Sequence, residues 1–234
     1  MPARPSVPPV VLARWKQDAP PDGSSVVLPD GCRDLILHVN AGGRCEWMVS
    51  HLADTAYEVP EDAQGRWLGY RFQPGACVDS EALLAAVVTI GTGAASMPHD
   101  PEPLLPRTIE HRVLDAIDAC VRVDPRIQEA LAALAEARSI RTASGALGVS
   151  ERSLERLTVT ATGQPPRYWR ALARIRRAAQ ALAGPLPLVD IAADHGFSDQ
   201  AHFSRECRRW LGLAPSHLRA SPALLATVAA IGYD

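Results

Sequence analysis

The chain has 234 residues, of which 47% are hydrophobic and 21% charged, with a formal net charge of −2. This length suits two domains, and the composition excludes a wholly disordered chain. No apolar stretch reaches the roughly 18 residues of a membrane span, and the N-terminus lacks an apolar signal core, so we expect a cytoplasmic protein without a membrane partner.

The first part of the chain is predicted to be rich in β-strands. Five short extended runs separated by turn residues carry this prediction: VVLARWK, SSVVLP, RDLILHV, CEWMVSHL and RWLGYRF. Ser80 is the predicted N-cap of an apolar helix that has Glu81 at its N-terminal end. The proline- and glycine-rich segment 91–106 predicts a connection, so we place a β-rich domain at 1–105 and a helical domain at 106–234.

Helical periodicity dominates after Pro106. Apolar residues recur at helical steps in RTIEHRVLDAIDACVRV, and the next predicted helix opens with Asp124 as its cap and Pro125 as its first residue. Helical segments continue to Arg219, and we expect the apolar tail that follows to pack on the protein. The predicted fold class is α+β, a β-rich N-terminal domain followed by an all-α C-terminal domain.

The helical part contains an internal repeat. Two segments place a small residue four positions before a glycine, then an apolar residue and a serine, with an offset of 48 residues. The matched pairs are Ser144 and Ala192, Gly148 and Gly196, Val149 and Phe197, and Ser150 and Ser198. A glycine permits a tight turn and a small residue lets two helices approach closely, so we predict two helix-turn-helix units at about 139–158 and 187–211. Ser150 and Ser198 are the predicted N-caps of the second helices.

Helical spacing separates inward from outward residues in each unit. The predicted buried stripe of the second unit consists of Phe203, Cys207, Trp210 and Leu211. A helix in the major groove reads base edges with the outward residues of its N-terminal part, where Arg favours guanine and Gln favours adenine. Outward residues of this kind are Arg152 and Arg156 in the first unit, and Gln200, Ala201 and Arg205 in the second.

A long predicted helix, PPRYWRALARIRRAAQALAG, joins the two units. One side is apolar, and four arginines share the other side: Arg167, Arg170, Arg174 and Arg177. Together with Arg208 they are candidate phosphate contacts, and a solvated charged face is the alternative. Residues 138–219 carry 13 Arg and Lys against 6 Asp and Glu, whereas residues 1–137 carry 11 against 19. Such asymmetry is expected when one domain binds a polyanion.

The second repeat resembles the signature segment of AraC-type transcription regulators. The matching residues are Ile191, Ala192, Gly196, Phe197, His202, Phe203, Arg205, Gly212, Pro215 and Arg219. The resemblance runs from about Asp124 to Arg219 and implies a seven-helix DNA-binding domain whose two units enter successive major grooves on one side of the duplex. It implies these base readers: Arg152, Glu155 and Arg156, then Gln200, Ala201, Ser204 and Arg205.

Some residues depart from the family pattern. Ser144 stands where alanine is usual, and Thr158 and Cys207 stand where a large aromatic residue is common. Gly145 weakens the first helix by about 1 kcal/mol. These departures predict looser cores in both units. At the other end of the chain, LPDGCRDLILHV and WLGYRFQPGA are similar to an uncharacterised N-terminal domain in a subset of these regulators, which implies effector binding or self-association.

The predicted function is a bacterial, sequence-specific DNA-binding transcriptional regulator controlled through its N-terminal domain. Candidate effector-binding residues are Trp15, Trp47, Trp67 and Tyr70, with aromatic core filling as the alternative. Double-stranded DNA is the principal predicted partner, and a small-molecule effector, RNA polymerase and a second copy of the chain are further candidates. The alternative function is a β-domain that binds a ligand, or a metal-dependent enzyme, with a helical tail for protein contacts.

No enzymatic activity, cofactor or metal site is predicted. Ser198, Asp199 and His202 lie on one helix and cannot converge from separate elements on a substrate. Four further residues could converge on a metal ion, but no two of them have the short spacing of a metal-ligand pair: Cys32, His38, His51 and Cys77. The five scattered cysteines without a CxxC pair indicate reduced structural thiols.

Overall fold

The computed structural model of the chain describes residues 7–18, 24–60, 65–91 and 104–234. These residues form two compact units. Unit 1 comprises the described residues up to 25, residues 33–51 and the described residues from 58 to 123, and unit 2 comprises 26–32, 52–57 and 124–234. The predicted α+β class is confirmed, with strands concentrated in the first half and helices in the second. Most of the predicted connection at 91–106 lies outside the described residues.

The first half of the described chain contains seven strands. They are β1 (Val11–Asp18), β2 (Ser24–Val27), β3 (Asp34–Val39), β4 (Cys45–Val49), β5 (Tyr57–Pro60), β6 (Arg66–Phe72) and β7 (Cys77–Val78). Antiparallel pairing gives a four-stranded sheet in the order β1-β6-β3-β4, while β2 pairs with β5. The five predicted runs are confirmed as β1 to β4 and β6. Sequence reasoning missed β5 and β7.

One face of the four-stranded sheet forms the core of unit 1. Leu35, Leu37, Leu68 and Phe72 are fully buried there, and helices α1 (Ser80–Ile90) and α2 (Arg107–Cys120) contribute apolar side chains to the same cluster. The N-cap of α1 is Asp79 rather than the predicted Ser80, because the Asp79 carboxylate accepts a hydrogen bond from the Ala82 backbone N–H at 3.1 Å.

Helix α2 belongs to unit 1, so the predicted boundary between residues 105 and 106 is wrong. The helix buries Val113, Leu114 and Ile117 in the core of unit 1, and strand β8 (Val121–Arg122) then pairs with β7. Glu110 accepts a hydrogen bond from the Tyr70 hydroxyl at 3.3 Å. The structural boundary therefore falls between residues 123 and 124.

Unit 2 is helical. Its helices are α3 (Pro125–Glu136), α4 (Ile140–Ala146), α5 (Glu151–Thr162), α6 (Pro166–Gln180), α7 (Leu188–Asp194), α8 (Gln200–Leu211), α9 (Pro215–Arg219) and α10 (Pro222–Ala229), with a short 3₁₀ helix at Ala181–Ala183. Seven α-helices lie between residues 124 and 219, as the resemblance implied. Helix α6 is central, since it contacts α3, α5, α8 and α10. The predicted cap Asp124 and first-turn Pro125 of α3 are confirmed.

Two segments from the first half of the chain and the C-terminal tail complete unit 2. The Tyr168 hydroxyl on α6 donates to the Ala53 carbonyl at 2.8 Å, and the Tyr233 backbone N–H donates to the Asp30 carbonyl at 2.8 Å. The tail packs on the body as predicted, because Val228 is fully buried and the Tyr233 hydroxyl donates to the Leu131 carbonyl at 2.8 Å. Within the described ranges, no helix is both long enough and apolar enough to cross a membrane.

Candidate nucleic-acid interface

The first helix-turn-helix unit is formed by α4 and α5. Ser139 caps α4, because its hydroxyl accepts from the Thr142 backbone N–H at 3.0 Å. The turn passes through Gly148, whose φ of 65° lies in the left-handed region that favours glycine. Ser150 then caps α5, since its hydroxyl accepts from the Ser153 backbone N–H at 3.1 Å. The predicted unit, its turn glycine and its second cap are all confirmed.

The second unit is formed by α7 and α8. Its turn uses Gly196, with a φ of 71°. The cap of α8 is Asp199, whose carboxylate accepts from the His202 backbone N–H at 2.6 Å, so the predicted cap Ser198 is wrong by one residue. The turn of the second unit is one residue longer, and the Ser198 hydroxyl lies 3.1 Å from the His202 Nδ1 atom instead. The hydrogen bond from the His202 backbone N–H lowers the pKa of the exposed Asp199 carboxyl.

The longer turn changes how the two recognition helices, α5 and α8, correspond. Their first residues are Glu151 and Gln200, so equivalent helical positions are 49 residues apart rather than 48. At this offset Arg152 corresponds to Ala201, Glu155 to Ser204 and Arg156 to Arg205. Most of these side chains are exposed, with Ser204 partly buried. Three pairs of the predicted readers therefore occupy the same helical positions in both units.

The buried sides of the recognition helices differ in chemistry. In α8 the predicted stripe of Phe203, Cys207, Trp210 and Leu211 is confirmed as buried. Burial raises the pKa of the Cys207 thiol to about 12, which agrees with a structural cysteine. In α5 the buried residues are Leu154 and Thr158, and Leu157 is only partly buried.

The arginines of α6 do not form the predicted solvent-facing stripe, because only Arg167 is exposed. Arg170 donates from Nη1 to the Arg138 carbonyl at 3.1 Å, and Arg174 donates from Nη1 to the Gly196 carbonyl at 3.3 Å. Arg177 pairs with Glu136 at 2.6 Å and also donates to the Ala135 carbonyl. Three of the four arginines therefore connect α6 to neighbouring segments of unit 2.

Sequence reasoning missed a fifth arginine of this helix. Arg176 lies on the apolar side of α6 and is 1% exposed. Its guanidinium donates to the Pro29 carbonyl at 3.3 Å and to the Ala230 carbonyl at 2.8 Å. Arg176 therefore connects the segment around Pro29 and the C-terminal tail to α6. The run of arginines around Ile175 contained a signal, since Arg176 falls on the apolar face of the helical pattern.

The four aromatic residues predicted to bind an effector do not lie together. Opposite residues of an antiparallel pair share a face, and Trp47 faces Leu37 while Tyr70 faces Leu35, so both lie on the core side of the sheet. Trp15 faces Gly69 on the other side, where the Trp67 ring stacks on His38 at a centroid distance of 3.9 Å. Tyr70 is 1% exposed and bound to Glu110, so it is a core residue.

The described residues contain no group of three or more His, Cys, Asp or Glu side chains arranged to hold a metal ion. His38 stacks on Trp67 in unit 1, and Cys77 is exposed on β7. The described part of the chain thus gives no support to a metal site formed by the two cysteines and two histidines.

Comparisons with known proteins found matches to the helical region. Residues 143–221 match a family model described as a helix-turn-helix domain. Two curated relatives, the virulence regulon transcriptional activator VirF of Yersinia enterocolitica and the thermoregulatory protein LcrF of Yersinia pestis, are each 38% identical over 73 residues. The match covers 31% of this chain and 27% of each relative. The aligned region thus spans about a quarter of the length of these relatives.

Solved structures were also matched. An AraC-type transcriptional regulator from Chromobacterium violaceum has a TM-score of 0.39 and 33% identity, covering 42% of this chain and 93% of that chain. ToxT from Vibrio cholerae has a TM-score of 0.47 and 8% identity, covering 93% and 97%. The family match over residues 143–221 and the curated relatives confirm the predicted resemblance of this segment to helix-turn-helix regulators of the AraC type.

Proposed function

We propose that this protein is a sequence-specific DNA-binding transcriptional regulator. The observation that carries the proposal is the pair of recognition helices α5 and α8, whose exposed polar residues occupy equivalent positions in an AraC-type domain. The matched curated relatives are named as a transcriptional activator and a thermoregulatory protein, which supports the same class of function here. The excess of Arg and Lys over Asp and Glu in residues 138–219 favours a polyanionic partner.

Arg156 and Arg205 are the central proposed readers, because Arg can donate two hydrogen bonds to one guanine. The remaining proposed readers are Arg152, Glu155, Gln200, Ala201 and Ser204. Arg167 and Arg208 are exposed and are proposed to contact phosphates. Arg170, Arg174 and Arg177 already donate to acceptors within unit 2, so we do not assign phosphate contacts to them.

Regulation is proposed to act through unit 1. The half-buried rings of Trp15 and Trp67 lie on the sheet face that belongs to neither hydrophobic core, and they are the proposed effector contacts. An effector that binds there should change the fluorescence of the wild-type chain, and Trp67→Phe should weaken that change while Trp210→Phe preserves it. RNA polymerase and a second copy of the chain are further proposed partners. Transcription in a purified system would test the first, and sedimentation would test the second.

The test of DNA recognition starts with selection of duplexes from a random pool by the full chain. We expect one enriched sequence with two half-sites. Arg156→Ala and Arg205→Ala should each weaken binding to it by about 1–3 kcal/mol and relax base preference at one position, in different half-sites. Arg112→Ala, which removes an exposed arginine from α2 in unit 1, is the matched control and should bind like the wild type. Absence of an enriched sequence, or wild-type binding by both reader variants, would refute the proposal.

A further inference from the structure

Arg174 holds the turn of the second helix-turn-helix unit in two ways. Its Nη1 atom donates to the Gly196 carbonyl at 3.3 Å, and its guanidinium carbon lies 4.5 Å from the centroid of the Phe197 ring. Phe197 in turn packs on Phe203 of α8, with ring centroids 5.0 Å apart. A single side chain of α6 therefore contacts two residues of the turn between α7 and α8, Gly196 and Phe197.

The environment of Arg174 suits an internal contact better than a phosphate contact. The side chain is half-buried, and desolvation, followed by the nearby charge of Arg170, lowers its pKa, while Glu206 opposes that shift. A phosphate contact needs a guanidinium that can leave its present partners and face solvent. A contact with the face of an aromatic ring combined with a directed N–H bond is an arrangement that a guanidinium makes better than an ammonium group.

Arg170, one helical turn earlier, makes the corresponding bond toward the first unit. It donates to the carbonyl of Arg138, which lies immediately before the cap of α4. Two neighbouring positions of a single rigid helix are thus bonded to segments that lead into different units. Helix α6 is fifteen residues long and its apolar side is fully packed. The bonds at Arg138 and Gly196 therefore constrain how the two helix-turn-helix units lie relative to each other.

We propose that Arg174 is a positioning residue for DNA recognition, which fixes the turn of the second unit on α6 and so sets the offset between recognition helices α5 and α8. The inference rests on the proposed function, because the offset matters only if both helices read one duplex. The protein would then discriminate by the spacing of two half-sites as well as by their sequence. Arg174 would act on this spacing without touching DNA.

The test compares Arg174→Met, Arg174→Lys and Arg167→Met on the selected site and on sites with one base pair added or removed between the half-sites. Arg174→Met should weaken binding to the original site about tenfold and lose most of the spacing discrimination. Its salt dependence should match the wild type. Arg174→Lys, which keeps the charge, should rescue little, because lysine cannot make both the bond to the Gly196 carbonyl and the contact with the Phe197 ring. Arg167→Met should keep the spacing discrimination and make the salt slope shallower by about one unit.

An Arg174→Met variant whose salt slope falls by about one unit with spacing discrimination intact would make Arg174 a phosphate contact and overturn the proposal. A DNA-free measurement separates this failure from failure of the proposed function. In hydrogen exchange, amides in the 195–199 turn should exchange about tenfold faster in Arg174→Met than in the wild type. Arg112→Met is the matched control and should not change them. Unchanged exchange in that turn would refute the positioning role even if the chain selected no DNA sequence.

Discussion

The two helix-turn-helix units share one backbone plan but fill it with different side chains. Both have a left-handed glycine in the turn, and both recognition helices end at a left-handed glycine, Gly163 in the first and Gly212 in the second. The recognition helix of the second unit buries two aromatic rings, a thiol and a leucine, whereas that of the first buries only Leu154 and Thr158. Repetition of the turn geometry therefore does not require repetition of the core.

The residue that follows the turn glycine also differs between the two helix-turn-helix units. Phe197 in the second unit is 5% exposed and lies under Arg174, whereas its counterpart Val149 is 43% exposed. Polar side chains also enter the core of the first unit. The Ser144 hydroxyl donates to the Arg141 carbonyl at 3.1 Å, and the Thr158 hydroxyl donates to the Glu155 carbonyl at 3.1 Å. Such bonds satisfy the hydroxyls but add little packing, so we expect the first unit to be the less stable one.

Truncation of the central buried side chain of each recognition helix is the strongest test of this contrast. Phe203→Ala should lower the free energy of unfolding by about 3–5 kcal/mol, because a fully buried ring leaves a large cavity. Leu154→Ala, the equivalent change in the first unit, should cost about 2–3 kcal/mol, because removing a buried leucine side chain leaves a smaller cavity than removing a phenylalanine ring. Urea unfolding followed by circular dichroism gives both values. A larger loss for Leu154→Ala would reverse the proposed order of stability.

Substitution of the small residue at the helix crossing, Ser144 in the first unit and Ala192 in the second, should change the stability less than these truncations do. The two substitutions should act in opposite directions. Ser144→Ala removes a 4% exposed hydroxyl that bonds only to its own helix, and should stabilise the protein by about 0.5–1 kcal/mol. Ala192→Ser adds a hydroxyl at a position that is 1% exposed, and should cost about 1–2 kcal/mol. Thermal unfolding of both single variants and of the double variant measures these effects. If both substitutions stabilised the protein, polarity of the first core would not explain its looseness.

The sequence predicted the repeated unit well because its strongest signals are local. A glycine at a turn and a serine cap act within four residues, so Gly148, Gly196 and Ser150 were identified without knowledge of the tertiary structure. The cap Asp199 was missed because the two repeats were aligned at a fixed offset, which a one-residue difference in turn length breaks. Local patterns contain no information on which carbonyl a long side chain will reach.

Residues that act through distant partners were predicted least well. The arginines of α6 formed a regular stripe in sequence, but Arg170, Arg174 and Arg177 found acceptors on segments up to 42 residues away. Arg176 reaches the carbonyl of Pro29, 147 residues earlier in the chain. The four aromatic residues of unit 1 were likewise separated by strand pairing that their spacing does not encode. Tertiary acceptors and sheet register decide these positions.

The caps of the recognition helices predict the smallest difference, one that depends on pH. Asp199 has a lowered pKa in the folded protein, chiefly because it accepts a hydrogen bond from the His202 backbone N–H, whereas the first unit uses the neutral Ser150. Its stabilising effect is therefore present above the unfolded-state pKa of about 3.9 and is lost as the pH falls through the lower folded-state value. Asp199→Asn keeps an acceptor that does not titrate. The stability advantage of the wild type over this variant should shrink steadily between about pH 5 and pH 3.

Ser150→Asp should introduce the same pH dependence into the first unit. Urea unfolding at several pH values measures both, and a constant advantage down to pH 3 would show that the carboxylate cap is not the source of the difference.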